Sequence, residues 1–177
     1  NFRAACLPRN PSLIDKWFHF NPPFEFVYGS HTVQKMANSG PGFYGEDVYG
    51  RAAEMYKLKD VIPPGYTVYG EIYGENKPGA AIQKGFGYGV EKIEVAFFDV
   101  KFENKYLDWA EFKHFCDERG LPIVPVLYEG PFSAENLKEC TDGQTTVNPT
   151  HQFSAGHKIN IWLNQIREGA VVGPAGV

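Results

Sequence analysis

The run Tyr66-Thr67-Val68-Tyr69-Gly70-Glu71-Ile72-Tyr73 leaves the chain few conformational choices. Pro63-Pro64-Gly65 precedes it, Gly74 follows it, and a second run from Ile93 to Phe102 is apolar or aromatic at most positions. β-Branched and aromatic residues suit a pleated, half-buried surface and Gly/Pro clusters punctuate it, so both runs are expected to be strands. Side chains of a strand alternate between its faces. Thr67, Tyr69, Glu71 and Tyr73 therefore share one face of the first strand, while Tyr66, Val68, Gly70 and Ile72 share the other. In the second strand Phe97 falls with Ile93 and Val95, and Phe98 with Glu94, Ala96 and Val100.

Elsewhere the chain adds more strands than helices. Phe2 to Cys6 reads as the end of a strand stopped by Pro8-Arg9-Asn10-Pro11, and Phe24 to Tyr28 as another between Pro22-Pro23 and Gly29. Asp47 is placed to cap a helix running towards Leu58. Asp108, with Glu111 three residues on and Gly120 beyond, sets up a capping box for a second helix whose Trp109, Phe112 and Cys116 share a face. Leu121 to Tyr128 is expected as a strand, Ser133 as the cap of a short helix to Cys140, and Ile159 to Val172 as the home of one more strand. Asn38 to Gly42, the glycine-rich Lys84 to Gly89 and the polar Thr141 to Gly156 read as turns and loops. No tandem repeat is present. The fold class expected is α+β, antiparallel-rich, as a single domain over residues 1–177.

Composition narrows the function. A chain of 177 residues that is 43% hydrophobic can bury a sizeable core, and 21% charged residues are too few for a disordered chain. The net charge of −4 excludes a chain-wide basic surface, so contact with nucleic acid must use a local patch. Cys6, Cys116 and Cys140 are odd in number and widely spaced, which favours a reduced, cytoplasmic setting over a disulfide scaffold. No stretch approaches the roughly 18 apolar residues of a membrane span, and the first residues lack a signal peptide's charged start, so no membrane partner is expected. His19, His31, His114, His151 and His157 show no metal-ligand spacing. Neither a serine elbow nor a P-loop nor a dinucleotide fingerprint occurs; Gly85, Gly87 and Gly89 precede a strand rather than open a helix.

Three segments carry possible chemistry. Glu71 between Tyr69 and Tyr73 suits the floor of a nucleoside pocket, with the carboxylate accepting a ribose hydroxyl and Gly70 and Gly74 letting a ligand approach the backbone. On this motif alone an exposed hairpin edge with a solvated carboxylate is the better-supported reading. Phe97-Phe98 is either wholly core or offers one ring, Phe98 by register, to a planar base. Arg167-Glu168 enters the apolar run Gly169 to Val172; burying such a pair unpaired is costly, so it faces solvent, a ligand or a metal.

In chain order these segments resemble the nucleotidyltransferase domain of ATP-dependent RNA ligases, in particular the phage and bacterial RNA ligase 2-like type. That group belongs to the covalent nucleotidyltransferase superfamily, with DNA ligases and mRNA capping enzymes. Val68 to Gly74 resembles its third motif, followed by a Gly/Tyr-rich link such as Gln83 to Gly89. Phe97-Phe98-Asp99-Val100 resembles the next, and Arg167 to Val172 the fourth, Arg-Glu-Gly-x-Val-Val. Tyr28-Gly29-Ser30-His31 is similar to a segment between the first and third motifs, with His31 where the family often has Arg. Gly173 likewise stands where Arg or Lys is common.

The resemblance implies an ATP-grasp-like core of the DNA ligase adenylation type. It implies RNA ends, a 5′-phosphate and a 3′-hydroxyl, as partners, and ATP/AMP with Mg2+ or Mn2+ as cofactors. It implies that Glu71 binds the ribose, that Phe98 stacks on adenine, and that Glu168 orients metal-bound water or the nucleophilic lysine. Asn1 would sit near the α-phosphate with Arg3 beside it. Asn1-Phe2-Arg3 looks like the residues that follow the family's Lys-x-[Asp/His]-Gly, so the nucleophile is expected upstream of Asn1 and the closing Lys-x-Lys motif beyond Val177. Lys84-Gly85-Phe86-Gly87 matches Lys-x-x-Gly inside the chain but follows the Glu71 motif instead of preceding it. The competing expectation is a non-catalytic nucleotide- or RNA-binding module of the same fold. An aromatic-rich carbohydrate-binding domain fits the composition but not the order of motifs.

Overall fold

A computed structural model describes residues 1–9, 23–36, 47–77, 80–82, 92–142 and 172. Its strands are β1 (Phe2–Pro8), β2 (Phe24–Gly29), β3 (Gln34–Lys35), β4 (Tyr66–Lys77), β5 (Ala80–Ala81), β6 (Ile93–Phe102) and β7 (Lys105–Tyr106). The helices are α1 (Val48–Met55), α2 (Leu58–Val61), α3 (Trp109–Glu118) and α4 (Ala134–Thr141). The sheet runs β3-β2-β1-β4-β6-β7, with β5 pairing to the end of β4, and these strand pairs are all antiparallel. The α+β, antiparallel-rich expectation holds.

One face of the sheet carries the core. Phe2, Ala4, Val68, Ile72, Val95 and Phe97 are buried against Val48, Ala52 and Leu58 from α1–α2 and Phe112, Phe115 and Cys116 from α3. The local signals place these helices. Asp47 Oδ1 accepts from the Gly50 amide at 3.1 Å, while the Tyr28 hydroxyl donates to Asp47 Oδ2 at 2.8 Å and ties the cap to β2. Burial, then this bond, push the Tyr28 phenol up to about 12. Asp108 and Glu111 form the reciprocal capping box, and Ser133 accepts from the Asn136 amide.

Three expectations are corrected. The helix after Asp47 does not run unbroken to Leu58: Lys57 takes a left-handed φ of 50° and separates α1 from α2. Leu121 to Tyr128 is no regular strand. Only Ile123 forms a bridge, parallel to Phe97, where the Phe97 amide donates to Pro122 O and the Val124 amide to Phe97 O, both at 2.8 Å. That bridge covers the outer edge of β6, which the Tyr56 hydroxyl also covers by accepting from the Val95 amide and donating to its carbonyl.

Phe98 does not share a face with Val100. The register between β4 and β6 steps from Tyr69↔Asp99 to Gly70↔Phe97, leaving Phe98 as the extra residue of a β-bulge. Alternation restarts there, so Val100 returns to the buried face with Val95 and Phe97. Gly70 is required opposite the bulge, since a Cβ would lie 2.8 Å from Val95 Cγ1 and 2.9 Å from Ala96 O. The expected segments 38–42, 83–89 and 143–156, and the strand expected over Ile159 to Val172 apart from Val172 itself, lie outside the described residues; Val172 is exposed and in no strand. Cys6, Cys116 and Cys140 are all free thiols. Among the described residues no helix is long and apolar enough to cross a membrane.

Candidate functional site

Opposite residues of an antiparallel pair project to the same side. The register therefore builds the second, partly exposed face of the sheet row by row. In one row Glu71 on β4 stands beside Ala96 on β6. In the next, Arg3 on β1, Tyr69 on β4 and Asp99 on β6 lie side by side. In a third, Ala5, Thr67, Lys101 and Tyr106 line up across β1, β4, β6 and β7. Phe97 is fully buried on the helix side, whereas Phe98, the bulged residue, and Asp99 after it are both partly exposed.

Asn1 closes the first row. Its amino nitrogen lies 3.0 Å from Glu71 Oε1. Further along β4 the Tyr73 hydroxyl donates to Glu94 Oε2 at 2.9 Å, and Lys92 Nζ is 3.4 Å from the same carboxylate. Burial first, then the Glu94 bond, hold the Tyr73 phenol well above its ordinary value. That leaves it a proton donor. Burial also raises the Asp99 carboxyl, against the Val100 amide that donates to its Oδ1 at 2.9 Å. Tyr69 is raised by burial and then by the adjacent Tyr106 hydroxyl, with Arg3 pulling the other way.

The structure thus brings Asn1, Arg3 and Glu71 together on one face, with Phe98 at the bulge of the adjoining strand. Glu168 and Lys84 lie outside the described residues. The arrangement offers carboxylate acceptors, a bulged aromatic residue and a cation on neighbouring strands. Among the described residues no three His, Cys, Asp or Glu side chains converge to hold an ion.

A family model described as RNA ligase matches residues 25–176. The chain belongs to the RNA ligase family. Comparison with curated proteins and with solved structures yields no match. Membership ties the chain to the joining of RNA ends in general. Glu71, Phe98 and Glu168 fall inside the matched stretch of this RNA ligase domain, while Asn1 and Arg3 precede it.

Sequence reasoning did not single out Lys101 and Tyr106, which the register places side by side on this face. Tyr106 follows a two-residue turn, Glu103-Asn104, that reverses the chain between Phe102 and Lys105. Asn in so short a link is a hairpin signal, and alternation from there puts Tyr106 beside Lys101.

Proposed function

We propose that this chain is the adenylation domain of an ATP-dependent RNA ligase, sealing RNA 5′-phosphate and 3′-hydroxyl ends through a lysyl-AMP intermediate. The observation that carries the proposal is the gathering of Asn1, Arg3 and Glu71 on one face, with Phe98 at the adjoining bulge, in a chain of the RNA ligase family. Glu71 accepts a ribose hydroxyl, Phe98 stacks on adenine, and Arg3 with Asn1 faces the α-phosphate. A lysine upstream of Asn1 attacks that phosphorus: the P–N bond forms, the P–O bond to pyrophosphate breaks, and the amine loses its proton. Attack needs the free amine, hence a depressed pKa, which a neighbouring cation such as Arg3 favours. AMP then passes to the RNA 5′-phosphate, and the 3′-hydroxyl displaces it. Bound Mg2+ or Mn2+ would neutralise phosphate charge, with Glu168 as the residue proposed to face it. Three free thiols accord with a cytoplasmic setting.

Incubation with α-labelled ATP and metal, followed by denaturing electrophoresis, tests this. Label is expected on protein carrying the residues its gene encodes upstream of Asn1, and not on a chain starting at Asn1. Label on the shorter chain that disappears in Lys84→Ala would overturn the placement of the nucleophile. No label on either form would leave a nucleotide- or RNA-binding module.

A further inference from the structure

The open face continues past the nucleotide floor. Lys101 pairs with Thr67, four residues along β4 from Glu71, which at strand rise is about 13 Å away. There Lys101 Nζ lies 5.8 Å from the centre of the Tyr106 ring, and the Tyr106 and Tyr69 rings are 5.9 Å apart. Tyr106 is 51% exposed, although an aromatic ring on a strand normally seeks cover. Neither Lys101 nor Arg3 has an ion-pair partner among the described residues. The nearest acid in the register, Asp99, is engaged by the Val100 amide. An exposed ring beside a cation without an ion-pair partner among the described residues, continuous with a nucleotide floor, is the pattern that binds single-stranded nucleic acid: bases stack on the ring and phosphates meet the charge.

We propose that Lys101 and Tyr106 form the subsite for the RNA strand that bears the 5′-phosphate. Tyr106 stacks on a base near the strand's end, and Lys101 faces a backbone phosphate. This rests on the adenylation reading, because that reading puts AMP in the Glu71 row and so points the strand's end towards it. Both residues lie beyond the Arg3 row as counted from Glu71, and on that placement we assign them to the RNA. The Tyr69–Tyr106 ring pair holds Tyr106 from behind. Its loss would be structural, so the test separates ring from hydroxyl.

Protein with its upstream residues restored is measured in two ways: label retained from α-labelled ATP without RNA, and anisotropy of a short 5′-phosphorylated single-stranded RNA over a range of salt. Tyr106→Ala is expected to keep self-adenylation and to bind RNA roughly 10- to 100-fold more weakly, the usual effect of removing one stacking ring. Tyr106→Phe keeps the ring and is expected to bind as the unaltered protein does. Lys101→Gln is expected to lower the slope of log affinity against log salt by about 0.7, one phosphate's share on a single strand. Unchanged RNA binding by Tyr106→Ala overturns the subsite, as does a loss in Tyr106→Phe as large as that in Tyr106→Ala. Should the unaltered protein form no adenylate, the ligase reading fails by itself, and the RNA measurements still decide whether Lys101 and Tyr106 hold the strand.

Discussion

On the helix side of the sheet Val68 and Phe97 are wholly buried and Ile72 nearly so. One residue further along the same strands, Tyr69, Glu71 and Phe98 stand partly open to solvent. The strands are shared, yet their two faces answer to different demands. Phe97 meets Phe2 and Tyr56 edge-on, with ring centroids 6.2 and 5.7 Å away, and its identity is set by the shape of that space. Among the described residues the Glu71 carboxylate lies against the Asn1 nitrogen at the surface, a contact of the kind that adds little to stability. Its carboxylate is not there to hold the fold. The difference teaches that polar and aromatic residues which packing does not demand, gathered on one face, mark where the molecule meets something else.

The first way to break this comparison is Phe97→Ala. Removing a ring with no exposure should cost about 3–5 kcal/mol, the range for Phe truncation in a packed core. Equilibrium unfolding in urea measures it. A loss no larger than that of an open-face variant would show that the two faces are not distinct.

Gly70→Ala comes next and probes the bulge that aims Phe98. Its new Cβ would press on the backbone carbonyl of Ala96 at 2.9 Å, where β6 must shift, at about 1–3 kcal/mol. Because the shift falls at the bulge, ATP binding should weaken along with stability. A variant as stable and as active as the unaltered protein would mean that the bulge neither needs Gly70 nor positions Phe98.

Much of this was legible in the sequence, for reasons that differ by element. Alternation along Tyr66 to Tyr73 sorted Glu71 and Tyr69 from Val68 and Ile72 because strand pleat is strictly two-fold. The Asp108–Glu111 box and the caps at Asp47 and Ser133 were readable because capping is local. The bulge at Phe98 was not, since an extra residue in β6 is defined only against its partner β4, and no pattern within Ile93 to Phe102 reveals it. Leu121 to Tyr128 has strand composition, but strand pairing depends on a neighbour beyond the single bridge at Phe97. The nearness of Asn1, Arg3 and Glu71 is a matter of register between β1 and β4, a contact 70 residues apart that local propensity does not encode.

Glu71→Ala should change stability least and sharpen the comparison most. The side chain is 35% exposed, so the expected loss in urea unfolding is under about 0.5 kcal/mol. Adenylate formation, by contrast, should fall roughly 10- to 100-fold, because a hydrogen bond to a charged group is worth about 1.5–3 kcal/mol where water is displaced. Glu71→Gln keeps an acceptor oxygen without the charge and should fall between the two. The decisive quantity is the ratio of the effects, read in one preparation by unfolding and by label from α-labelled ATP. A Glu71→Ala protein that unfolds as readily as Phe97→Ala would make the carboxylate part of the scaffold. One that stays folded and adenylates at the normal rate would remove Glu71 from the nucleotide floor, leaving Phe98 and Arg3 to define it.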